Sequence, residues 1–414
     1  MTQAKPPKGK PGLLTIFLTV FIDMLGVGII IPVIPALFFE ESSAIFGQDV
    51  SETYRSVLYG LLIASYPAMQ FFGAPMLGSL SDKYGRKPVL ALSLLGCMIG
   101  YLLFGSAILT KNIGLLFFSR MLPGFFGGNI AVVYSAIADI SDEKSKPRNF
   151  GLVGMAFGLG FILGPALGGL LADSTVVSWF DSDTPFWFTA ILTFLNILFV
   201  IFRFSETLKE PRESRVSPWT GIRNIGLSFR IPNLRVIFVV VLLLSLGFSF
   251  FTQFYSVYLI TEFEYTEKSI GLLYGWIGIW LVITQGLIVR RLSNYFRSTQ
   301  LLNVSILFLS LSIGSLLIPS VDWWFFILNP LVAIAQGITA PNMTAVVSGQ
   351  AGAERQGEVL GINQSMQSLG QAVPPVIAGY IHALNEQFPL LAAAGLTFLG
   401  WIVYVFIFRQ SKRK

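Results

Sequence analysis

The sequence predicts an all-α integral membrane protein: twelve transmembrane helices arranged as two six-helix bundles. Three observations predict it. Of 414 residues, 54% are hydrophobic and 12% charged, with a mean hydropathy of +0.70, more apolar surface than a water-soluble core absorbs. Apolar runs long enough to cross a hydrocarbon layer about 30 Å thick recur along the whole chain. Finally, lysine and arginine sort by side of those runs.

Twelve runs qualify, at about 13–38, 57–79, 89–109, 113–138, 148–172, 185–204, 234–260, 269–289, 299–319, 322–347, 357–380 and 387–409. They are numbered here as spans 1 to 12. The first is too long for the apolar part of a cleavable signal and continues without a small-residue cleavage site, so it is expected to remain as span 1. Of the 28 Lys and Arg, 24 lie in the termini and the even-to-odd loops. Arg55, Lys111 and Lys268 lie opposite, and Arg120 falls inside span 4. The positive-inside rule then puts both termini in the cytoplasm of a multi-pass inner-membrane protein.

The longest basic-side connection, 205–233, divides the spans six and six, giving an N-terminal bundle over 1–204 and a C-terminal bundle over 234–414. Within it, Trp219, Ile222, Ile225 and Phe229 recur at near-helical spacing beside Arg223 and Arg230. They fit either a short amphipathic helix on the inner leaflet or a plain tether. The halves also resemble each other. IFLTVFIDMLGVG (16–28) aligns with IFVVVLLLSLGFS (237–249), and GFILGPALGG (160–169) with GQAVPPVIAG (370–379). LSDKYGR (80–86) has a decayed, one-residue-shorter counterpart in LSNYFR (292–297). Such a parallel six-helix repeat is a ground plan of secondary transporters, with the substrate site near the midplane between the halves.

Other classes find little support. One cysteine, Cys97, excludes an internal disulfide, and with one histidine, His382, there is no Cys/His metal cluster. The net charge of +6 follows the membrane sides rather than forming a nucleic-acid face. No G-x-x-x-x-G-K-(S/T) loop occurs, so an ion gradient rather than ATP is the expected energy source, and no cofactor is implied. No nucleophile–base set suggests an enzyme.

The chemistry-bearing motifs follow in order. In span 1, Asp23 is an acid among apolar residues and glycines, with no base nearby in sequence. Intramembrane acids are functional by default, and a carboxyl held there can bind and release a proton as access alternates. A helix–helix hydrogen bond is the structural rival. After span 2, GSLSDKYGRKPVL (78–90) packs Asp82, Lys83, Arg86 and Lys87 into one short loop with Gly78 and Gly85. Topology explains the lysines; the glycines allow a tight turn, and Asp82 is suited to a neighbouring helix start. Arg120 begins RMLPGFFGG; at that depth a lone guanidinium costs at least about 2.5–3.5 kcal/mol unless it faces water or a partner, or snorkels. In span 5, GLGFILGPALGG (158–169) sets Pro165, a helix-bending residue, among Gly160, Gly164, Gly168 and Gly169, which admit a close neighbour.

Together these motifs resemble the major facilitator superfamily, and within it the tetracycline and multidrug proton-antiporter branch. The loop fills G-x-L-x-D-(K/R)-x-G-R-(K/R), span 5 is similar to G-x-x-x-G-P-x-x-G-G, and span 4 to R-x-x-x-G. The resemblance implies that Asp82 meets the start of helix 11 and that Arg86 pairs with an acid at the end of helix 4, here Asp139, as a conformational latch. It implies proton-coupled export of small amphipathic or aromatic compounds by a monomer, with Asp23 and Arg120 in the coupling. From the pathway-lining helices it nominates Gln70, Asn129, Tyr134, Gln253, Tyr255, Gln285, Gln336, Asn342, Asn363 and Gln367 as substrate contacts, although such groups also pair helices within a bundle. The sequence departs from the tetracycline antiporters at Leu281, where they carry a histidine, and in span 9, which has no acid. That speaks against tetracycline as the substrate. Proton-coupled uptake of an organic solute such as a nutrient or siderophore is the alternative, and a non-transporting receptor a more distant one.

Overall fold

The computed structural model describes residues 13–30, 33–39, 52–210, 226, 229, 232–263, 265, 267–351, 355–385 and 387–408. Spans 1 to 6 are α1 (Leu13–Ile30) with α2 (Val33–Phe39), α3 (Glu52–Tyr84), α4 (Arg86–Thr110), α5 (Ile113–Phe126) with α6 (Asn129–Ile140), α7 (Lys146–Ala172) and α8 (Thr184–Arg203). Spans 7 to 12 are α9 (Pro232–Phe263), α10 (Glu267–Ile283) with a π turn (Thr284–Ile288) and α11 (Val289–Tyr295), α12 (Ser298–Ser315), α13 (Phe325–Ser348), α14 (Gln356–Leu384) and α15 (Phe388–Val403). Span 4 is thus two helices, because the Gly127–Gly128 turn interrupts it. Of the amphipathic segment read in the 205–233 connection, only Gly226 and Phe229 are among the described residues.

Among the described residues, ten helices are long and apolar enough to cross a membrane. The helices of spans 2 and 11, α3 and α14, are not among them. Their sequences carry Gln70, Ser79, Ser81 and Asp82 on α3, and Asn363, Gln364, Ser365 and Ser368 on α14, all of them buried. The physical reason is that these two helices turn polar faces to each other rather than to lipid. Elsewhere the lipid-facing pattern holds: Leu92, Leu95 and Ile99 on α4 and Ile191, Phe194 and Leu195 on α8 are exposed apolar stripes. Facing inward, Phe104 of α4 stacks on Phe186 of α8 at 4.1 Å between ring centroids.

One end of the bundle gathers Lys83, Lys87, Lys144, Arg203, Arg290, Arg291 and Arg355, and is called the basic end below. Two antiparallel seams join the halves there. In the first, α3 lies on α14. A Cβ on Gly78 would strike the Gly357 carbonyl oxygen, and one on Gly361 would strike the Ala74 carbonyl and Pro75 Cα. Farther in, Ser365 Oγ donates to the Phe71 carbonyl (2.5 Å) and Ser368 Oγ to Gln70 Oε1 (2.8 Å). From Asp82 to Gln70 the seam runs about 18 Å, over half the hydrocarbon thickness. In the second seam, α7 lies on α10 and the π turn: Gly151 and Gly154 face Gln285, Gly158 faces Val282, and Gly278 faces Ile162.

Candidate functional site

The charged cluster at the basic end starts from a helix that cannot cap itself. Gly85 precedes α4 with φ at +103°, a conformation side chains rarely adopt, and offers no capping oxygen. Glu206, just past α8, supplies it: its carboxylate accepts from the amides of Arg86 (2.9 Å) and Lys87 (3.1 Å). A Cβ on Gly85 would collide with that carboxylate.

The turn delivers Arg86 into the interior, where its side chain is 0% exposed. Its Nη1 donates to Asp82 Oδ1 (2.5 Å) and Ser81 Oγ (2.7 Å), and Nε and Nη2 to the two oxygens of Asp139 (3.0 and 3.4 Å). Thr207 Oγ1 also donates to Asp139 Oδ2 (3.0 Å). Across the seam, Asp82 accepts the backbone amides of Gly357 (3.0 Å) and Glu358 (2.9 Å), in the first turn of α14. A carboxylate there satisfies orphan amides and the positive helix end together. Burial holds the Asp82 carboxyl above its ordinary value, against the downward pull of Arg86 and the two amides. Gly78, Asp82, Gly85, Arg86 and Asp139 therefore stand together, joined by Ser81, Glu206 and Thr207. Sequence reasoning missed those three. The available signal was Gly85 itself: a helix start without a side-chain oxygen needs an acceptor from elsewhere, and Glu206 is an acid at the same end of the bundle.

The two midmembrane charges stand apart from this cluster. Asp23 Oδ2 accepts from Asn129 Nδ2 (3.3 Å), the first residue of α6. Arg120 lies over the Tyr66 ring, 5.0 Å from its centroid, and its Nε is buried without a hydrogen-bond partner. Neither forms an ion pair among the described residues. Next to Asp23, the glycines of span 5 let α1 and α7 touch: a Cβ on Gly28 would meet the Gly160 carbonyl oxygen, and one on Gly164 would meet Gly28. Gly168 is buried and Gly169 opens to space; the Pro165 side chain lies outside the described residues.

The remaining polar candidates divide by environment. Gln70 bridges Gly127, Ser368 and Gln364 in the first seam, and Gln285 is buried in the second with Oε1 unpartnered. Tyr134 meets Phe150 edge-on at 5.6 Å. Tyr255 is 0% exposed, its hydroxyl accepting from Asn329 Nδ2 (2.6 Å) in the core of the second half. Asn342 and Asn363 are likewise buried; Asn342 Nδ2 donates to the Ile338 carbonyl, while both amide atoms of Asn363 lack partners. Gln336 and Gln367 are half-buried and Gln253 is exposed. Cys97 is buried against span 4, within 4.0 Å of the Pro123 carbonyl.

The profile of the Major Facilitator Superfamily matches residues 16–328 and 301–414. The chain belongs to the major facilitator superfamily. As a member it is a small-molecule transporter embedded in the membrane, not an enzyme. Among relatives, the tetracycline resistance protein, class H, of Pasteurella multocida is 29% identical, over 97% of this chain and 96% of its own length. The quinolone resistance protein NorA of Staphylococcus aureus (strain MSSA476) is 28% identical over 97% of each chain. The crystal structure of the human organic anion transporter MFSD10 (TETRAN) superimposes with a TM-score of 0.81 at 22% identity, over 96% of this chain and 100% of that one. The proton:xylose symporter XylE, bound to 6-bromo-6-deoxy-D-glucose, gives 0.75 at 14% identity, over 95% and 96%. These likenesses fix the fold, two six-helix bundles in the superfamily's arrangement.

Proposed function

We propose that this transporter is a proton-coupled exporter of small amphipathic or aromatic compounds, working as a monomer in the inner membrane with both termini cytoplasmic. The observation that carries the reading is Asp23, an acid inside span 1 whose described partner is the neutral amide of Asn129. A carboxyl without a counter-charge can exchange a proton when its access changes, whereas an ion-paired one is held charged. One charge moved across 100 mV yields about 2.3 kcal/mol, enough for a roughly fifty-fold concentration ratio. The tetracycline and quinolone resistance relatives support export of aromatic compounds.

The moving bodies are the bundles over 1–204 and 234–414, linked by 205–233. The Asp82–Arg86–Asp139 cluster latches the form closed to the cytoplasm. Proteoliposomes carrying a pH gradient, loaded with a panel of fluorescent aromatic compounds, test the coupling. Export driven by the gradient and abolished in Asp23→Asn is the expected result. Gradient-independent flux, or full activity in Asp23→Asn, would overturn it.

A further inference from the structure

Among the described residues, Arg120 is a cation without an anion. Among the described residues no acid lies in ion-pair range of it, and no hydrogen bond satisfies its buried Nε. What surrounds it is aromatic: the Tyr66 ring at 5.0 Å, with Tyr59 and Tyr101 within electrostatic range. Cation–π contact of this kind offsets about 0.5–2 kcal/mol, short of the desolvation cost of a guanidinium at this depth. A ring face holds the cation in place but leaves its planar N–H fork, built for two parallel bonds to a carboxylate, without an acceptor.

The surrounding backbone fixes that geometry. Gly124, one turn beyond Arg120, lets α5 approach Tyr66 so closely that a Cβ there would strike its Cα and carbonyl oxygen, and Gly127 sits against the Tyr66 hydroxyl. Asp23 and Arg120 both act electrostatically on Tyr66 and Tyr101. Asp23 and Arg120 thus share two tyrosine neighbours and form no ion pair with each other among the described residues.

We propose that Arg120 receives the anionic group, a carboxylate, of an aromatic substrate whose ring packs among Tyr59, Tyr66 and Tyr101. The site takes aromatic acids and zwitterions in preference to neutral or cationic aromatics of the same shape. This rests on the exporter reading and names its substrate class.

Three probes of matched shape test it: 2-naphthoate, 2-naphthamide and 2-naphthylmethylammonium, titrated at neutral pH with no gradient against the full chain in nanodiscs of zwitterionic lipid, where no anionic headgroup competes. Naphthoate should bind roughly ten-fold or more tightly than the amide, the ratio expected of a charge-assisted hydrogen bond. Arg120→Gln should remove that preference, and Tyr66→Phe, which keeps the ring, should retain it. Equal binding of acid and amide, a preference for the ammonium, no naphthoate binding at millimolar concentration, or an unchanged preference in Arg120→Gln would each overturn the proposal. Should Arg120→Gln fail to fold, the acid-to-amide ratio of the unmodified chain decides alone. These are equilibrium measurements, so loss of gradient-driven export would sink the coupling without touching them, and loss of the charge preference would leave the coupling standing.

Discussion

The two seams at the basic end are related by the internal repeat, yet only one is clasped by charge. The first sets α3 against α14, spans 2 and 11; the second sets α7 against α10 and the π turn, spans 5 and 8. In the first, Asp82 is 2% exposed and binds the amides that open α14. The counterparts of Asp82 and Arg86 in LSNYFR are Asn294 and Arg297, both exposed, and the segment is a residue shorter. α7 opens with Lys146, Pro147 and Arg148, and no carboxylate meets them from across the seam among the described ion pairs. Instead the second seam holds a π turn with Thr284 and Gln285 buried, each with an unpartnered oxygen. A satisfied buried charge network specifies one arrangement, whereas a seam with unspent hydrogen-bonding capacity is suited to rearrange. This contrast is the basis for proposing that the first seam holds the closed form and that the second yields as the bundles rock.

Five substitutions break or sharpen that comparison, read as the distance between spin labels at Lys87 and Gln350 with Cys97 replaced by serine. Arg86→Gln leaves the buried Asp82 and the half-buried Asp139 without their cation, a loss of about 3–5 kcal/mol, so the labels should move apart and thermal stability fall. Gly361→Ala drives a Cβ into the backbone of Ala74 and Pro75 and should cost about 1–3 kcal/mol. The matched change in the second seam, Gly154→Ala, meets only the flexible end of Gln285 and should leave the closed population nearly intact. Ser368→Ala removes one buried hydrogen bond to Gln70, worth about 1 kcal/mol, a roughly five-fold shift toward the open form. Asn294→Asp, at an exposed site, should change the distribution by less than about 0.5 kcal/mol. A large effect from Asn294→Asp, or none from Arg86→Gln, would reverse the assignment of roles to the seams.

The sequence by itself determined the membrane class, the spans, the side-sorted charge and the repeat. Hydropathy, spacing and charge bias are local quantities, and lipid imposes them residue by residue. It also marked Asp23, Arg120 and the loop after span 2, because a charge in an apolar run is visible without a partner. Only the tertiary structure decided what those charges meet. Glu206 reaches the start of α4 from 120 positions away, and Gly357 meets Asp82 from 275 away. No periodicity links such positions. Gln70, Tyr255 and Asn342 look alike as polar residues in apolar helices, but Gln70 bridges the halves while Tyr255 and Asn342 are bonded inside the second half. Which face of a helix meets its own bundle and which meets the other half is settled by packing, and packing brings together residues that the chain keeps far apart.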